Sequence, residues 1–132
     1  MTRDAFDRVE SIVAGQPPTA KDWEWFASGL RQWTRGENLE AALSLTYADR
    51  VRRRDSAMRA AAELLMSGCE LSAWDLAGRL ADRLKRFKST KLPLFRRGAT
   101  VHMDEVERHL LVACESGARI STSRRHLHRL LA

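Results

Sequence analysis

Residues 71–98 read LSAWDLAGRLADRLKRFKSTKLPLFRRG, and this stretch decides the fold. Ala77, Leu80, Leu84 and Phe87 recur at spacings of three and four, which places them on one face of a 3.6-residue helix. Ser72 offers an N-cap, and Asp75 stands three residues on, close to a capping box. Arg79, Arg83 and Arg86 form a second stripe, about a quarter to a third of a turn from the apolar one. Between Arg79 and Arg97 there are eight cations and one anion, Asp82. This is a binding signal rather than a catalytic one. Past Ser89, Pro93 interrupts regular helix, so Leu92–Phe95 is expected to tuck across the core as a connection, leaving Arg96 and Arg97 outside.

Working outward, the same periodicity recurs on both sides. A first helix is expected over about 4–14, with Phe6, Val9 and Val13 on its apolar face and Gly15 and Pro17-Pro18 ending it. Thr19 caps a second, over about 20–34. Its heavy aromatic stripe of Trp23, Phe26, Leu30 and Trp33 is expected to face the core. Trp25 lies about 200° from Trp23; it either packs against the first helix or stands out as an anchor for a partner. Helical spacing resumes at Leu39, Ala42, Leu43 and Tyr47. The run Arg50, Arg52, Arg53 and Arg54 wraps right around a helix, so a break is expected near residues 52–56, with a fresh helix over 57–66, one long helix over 39–67 being the alternative. A sixth helix is expected over about 104–115, and a last short one from Ser121 or Thr122 to Leu131. No segment alternates at strand period.

The fold class is therefore all-α: one domain, an irregular bundle of six to seven short helices. Its expected core is Trp23, Phe26, Trp33, Trp74, Leu80, Leu84 and Phe87. The last two helices are either a helix-turn-helix-like hairpin or an ordinary helical hairpin. The register favours the second, because Ser123 and His126 would fall where the motif wants apolar core residues.

The formal net charge is +6, and it is uneven. Residues 1–49 hold five cations and eight anions, net −3; residues 50–132 hold eighteen cations and nine anions, net +9. A polyanion partner for the C-terminal part follows, with nucleic acid first and DNA before RNA. Arg83, Lys85, Arg86, Lys88, Lys91, Arg96 and Arg97 are the candidate phosphate contacts. Arg124, Arg125 and Arg129 would reach backbone or groove. The opposing reading is compositional: Arg outnumbers Lys nineteen to four, as a GC-rich genome alone would produce. The pairs Asp75/Arg79 and Asp82/Arg86 have the favourable i,i+4 order and would partly neutralise the stripe.

Catalysis has little to stand on. There is no phosphate-binding glycine loop, HExxH or nucleophile elbow. His126 and His128 are two apart on a helix and cannot share a ligand role. Cys69 and Cys114 are isolated, without zinc spacing, and read as free thiols of a cytoplasmic protein, a single bridge being the alternative. No enzyme activity, cofactor or metal is expected, and no apolar run suits a membrane span. Two function classes remain. One is a small nucleic-acid-binding protein, a DNA-binding regulator or accessory factor. The other is a non-enzymatic adaptor or inhibitor from a phage or other mobile element, docking an acidic surface of a larger complex, with Trp25 as a partner contact. A homodimer built on Trp25 or on Leu92, Leu94 and Phe95 is a third arrangement.

Overall fold

The computed structural model describes residues 3–132, and all regular structure in them is helical. The segments are α1 (Ala5–Val13), α2 (Ala20–Thr34), α3 (Leu39–Ala42), α4 (Tyr47–Met66), α5 (Ala73–Ser89), α6 (Lys91–Arg96), α7 (Glu105–Cys114) and α8 (Arg124–Leu131). The chain is thus an all-α protein of short helices, as the periodicity predicts. No helix among the described residues is long and apolar enough to cross a membrane. Two compact units divide the chain, one ending at Asp49 and the other running from Arg50 to Ala132.

The C-terminal unit is built around α5. Ala77, Leu80, Leu84 and Phe87 are buried to within 1 % of full coverage, and Leu76 and Ala81 widen the same face. Against it lie Met58, Ala61 and Ala62 of α4, Leu92 of α6, Leu110 and Ala113 of α7, and Leu127 of α8. Truncating Leu80, Leu84 or Leu110 to alanine is expected to cost about 2–5 kcal/mol, the usual range for a buried leucine. The termini follow cap chemistry. The Ser72 hydroxyl accepts the Asp75 N–H at 3.1 Å, and Asp104 and Glu107 form a reciprocal capping box at the start of α7.

Three expectations are overturned here. The chain breaks at residues 43–46, not at 52–56. Ser44 adopts φ 58°, a left-handed conformation that ends α3. Thr46 then starts α4: its N–H donates to the Asp49 carboxylate at 2.9 Å, and its hydroxyl accepts the Asp49 N–H at 3.2 Å. The arginine run therefore sits inside one continuous helix. Arg53 is buried, and Arg54 reaches the Arg119 carbonyl at 2.6 Å. Next, Pro93 lies within a helix. It is the third residue of α6, in the first turn, where a backbone N–H has no intrahelical acceptor to lose. Leu92 is buried, but Leu94 and Phe95 are exposed rather than tucked inward.

The third concerns aromatic residues expected in the core. Trp23, Phe26, Trp33 and Trp74 are 58 %, 38 %, 54 % and 47 % exposed. In the N-terminal unit the inner face of α2 is one position out of register with the aromatic stripe: Asp22 and Gly29 are buried, and Trp25 is half-buried. The Trp25 indole N–H donates to the Leu43 carbonyl at 3.1 Å. Asp22 accepts the Thr19 N–H at 2.9 Å and Arg8 at 2.6 Å, and Arg3 stands at 3.5 Å. The Thr19 bond leads in holding this carboxyl below its ordinary range, and the arginines add to it against the opposing effect of burial. A buried charge with these partners ties α1 to α2.

Candidate nucleic-acid interface

The candidate cations all lie in the C-terminal unit, and they separate into two sets. Arg83 reaches from α5 to the N-cap of α7, 2.7 Å from Asp104. Lys91 lies 2.8 Å from Glu107, and Arg96 lies 3.0 Å from Glu115. Arg124, at the start of α8, donates to the Trp74 carbonyl at 2.9 Å and to Asp75 at 3.2 Å. These four cations act as struts between helices. Burial pushes the Asp104 carboxyl up, but the Glu107 N–H and the Arg83 guanidinium outweigh it and hold it below its ordinary value.

The second set is Lys85, Arg86, Lys88, Arg97, Arg125 and Arg129. Among the described residues, none of these has a carboxylate within 4.0 Å. All are exposed except Lys88, which is half-buried. The expected internal neutralisation of α5 is also redistributed. Asp75 turns to Arg124 instead of Arg79, and Asp82 takes no cation within 4.0 Å among the described residues. Arg79 is consequently exposed, with no carboxylate within 4.0 Å among the described residues, and belongs with Arg86, one heptad along the same side of α5. Sequence spacing alone conceals this, because Asp75 is equally well placed for a neighbour on its own helix and for one on α8.

Lys88, Arg96 and Glu115 also act electrostatically on Cys114. Burial pushes its thiol up in pKa, while Lys88 and Arg96 act in the opposite direction. Both cysteines are free thiols, Cys69 exposed and Cys114 half-buried. No group of three His, Cys, Asp or Glu side chains able to hold a metal ion occurs among the described residues.

The helix pair α7–α8 has a nine-residue connection, 115–123, whereas a helix-turn-helix uses about three or four residues. The chief packing partner of α8 is α5. Arg50 and Arg54 of α4 brace the connection: Arg54 through the Arg119 carbonyl, and Arg50 by packing on Gly117, whose φ of 82° suits glycine. Ser123 is the residue before α8, but its side chain makes no capping bond. Arg125 and Arg129, one turn apart on α8, are exposed. Trp25, in the N-terminal unit, is occupied by its bond to Leu43; the exposed aromatics of α2 are Trp23, Phe26 and Trp33.

No family model, curated protein or solved structure matches this chain.

Proposed function

We propose that the C-terminal unit binds nucleic acid, DNA before RNA, as a small regulator or accessory factor. The observation that carries this reading is that Arg79, Lys85, Arg86, Lys88, Arg97, Arg125 and Arg129 have no carboxylate within 4.0 Å among the described residues. A cation engaged in an internal ion pair must exchange that carboxylate for a phosphate, whereas a solvated one meets the phosphate at no such cost and displaces the counterions of the polyanion. Arg83, Lys91, Arg96 and Arg124 are in this reading the struts that hold the surface. The test is binding to fluorescent random-sequence DNA and RNA, titrated from low to high salt. If five or six cations meet phosphates, the log–log slope is roughly −5. A binding constant that ignores salt, or no binding at low salt, would remove the reading.

A second reading draws on the N-terminal unit. Trp23, Phe26 and Trp33 put three large aromatic rings on one exposed stripe of α2, with Trp23 and Phe26 edge to face at 6.4 Å. Aromatic residues of this kind anchor protein interfaces. An adaptor or inhibitor role, or self-association, would use them. Light scattering on the native chain and on a W23A/W33A variant decides whether the stripe mediates self-association.

A further inference from the structure

Between the C-terminal end of α6 and the start of α7 lies a cleft of about 370 Å³, lined by Phe95, Thr100, Val101, His102, Met103 and Arg108 among others. Its volume falls at the low end of the range for small-molecule sites. Its chemistry is mixed in a specific way. Phe95 offers an aromatic ring that is 41 % exposed, although Leu92, in the same short helix, is buried. Arg108 and His102 are exposed, and Arg108 has no carboxylate within 4.0 Å among the described residues. Arg97, two residues beyond Phe95, is likewise exposed and without a carboxylate. The cleft therefore combines a π-face with cations at and beside its rim.

We propose that this cleft holds one unstacked base of a single-stranded nucleic acid, with the base on Phe95 and the flanking phosphates on Arg108 and Arg97. This inference rests on the polyanion reading above and narrows its ligand. Aromatic rings set in a positively charged groove are the recurring device for binding single strands, because every base has a π-face and phosphates follow it at regular spacing. A duplex cannot enter in the same way: its bases are already stacked, and extruding one costs free energy that a single strand does not spend. The His102 imidazole and the hydroxyl of Thr100 supply polar atoms for the edge of a base, without requiring a particular one. The arrangement predicts sequence-tolerant binding with a preference for single strands.

The test compares a fluorescent mixed-sequence DNA strand with the same strand annealed to its complement, at low salt, for the full chain and for Phe95→Ala and Phe95→Trp. F95A is expected to bind the single strand roughly tenfold more weakly, in line with the removal of one stacked base, while its duplex affinity stays unchanged. F95W is expected to restore single-strand binding, since the larger ring stacks as well. Far-UV circular dichroism of both variants checks that the fold is kept. An equal loss for single strand and duplex, or no loss for either, overturns the base-stacking inference while leaving the polyanion reading in place. Failure of the unsubstituted chain to bind either ligand overturns both.

Discussion

The guanidinium of Arg124 lies over the indole of Trp74, its central carbon 4.5 Å from the ring centroid, while its Nε donates to the carbonyl of the same residue at 2.9 Å. His128, one turn further along α8, meets the same indole edge-on at 5.4 Å. One side chain thus clamps the start of α8 to the start of α5, and Trp74 serves as a platform between helices rather than as core. Gly78 lies under the same guanidinium: a Cβ there would stand 2.8 Å from its central carbon, so an alanine would displace the tip of the Arg124 side chain.

Arg124→Ala is expected to destabilise the C-terminal unit by about 1 kcal/mol, the sum of an exposed cation–π contact and a partly exposed ion pair. Arg124→Lys is expected to recover only part of this, because an ammonium cannot stack its plane on the indole while donating sideways to a carbonyl. Urea midpoints of the three proteins check both. Full stability in R124A would show that the clamp is incidental.

The pairing of Asp104 with Arg83 gives a pH signature. Its carboxyl is held below the ordinary value of 3.8, so its contribution is complete above that value and is lost as pH falls through the lower folded-state value. Asp104→Asn keeps a good N-cap but removes the ion pair. With the Asp104 side chain half-exposed, the loss at neutral pH is expected to be about 0.5 kcal/mol. The difference from the parent should close in strong acid, where the native carboxyl is protonated too. A gap that persists at low pH would mean that the asparagine damages the cap itself.

Much of the C-terminal unit is legible in the sequence because its core helix obeys one rule throughout: Ala77, Leu80, Leu84 and Phe87 are both periodic and buried. Periodicity misleads in the N-terminal unit for a physical reason. The inner face of α2 is a carboxylate, an indole and a glycine, and these do not make an apolar stripe. The residues that do, Trp23, Phe26 and Trp33, remain in contact with solvent. Burial of apolar residues is a one-way rule. The helix start at Thr46 is readable in principle, since Thr46 and Asp49 have capping-box spacing; the arginine run is the louder signal and points further along. At the candidate interface, the excess of cations is visible in composition. The division into struts and free charges is not, because it depends on which acidic residues of α7 come to face α5 and α6.

Gly29 probes the packing of the N-terminal unit directly. A Cβ at this position would meet the Leu43 side chain, with Cγ at 2.9 Å and Cδ2 closer still. Leu43 is buried, so it has little room to withdraw. Gly29→Ala gains roughly 1 kcal/mol of helix propensity, yet overpacking typically costs about 1–3 kcal/mol. The net expectation is destabilisation of the N-terminal unit, by up to about 2 kcal/mol. It should be accompanied by a change in near-ultraviolet circular dichroism as the Trp25–Leu43 hydrogen bond shifts. A stabilised G29A would mean that α2 and α3 pack less tightly than the geometry indicates.

Charge reversals separate the two sets of cations. Lys85→Glu with Arg86→Glu removes two exposed charges that have no carboxylate partner, so the fold should hold and nucleic-acid affinity should fall. The salt-dependence slope should become shallower by about 2, roughly one for each phosphate that is no longer neutralised. Lys91→Glu and Arg96→Glu place a carboxylate against Glu107 and Glu115. Like charges then face each other where ion pairs stood at 2.8 and 3.0 Å, and the main effect should be a lowered urea midpoint. Measuring both quantities on both variants is what makes the distinction, because binding governed by net charge alone would weaken equally for any two cations removed. If K85E/R86E leaves the slope unchanged while K91E/R96E lowers it without loss of stability, then Lys91 and Arg96 are the phosphate contacts and the exposed ridge of α5 only solubilises the protein.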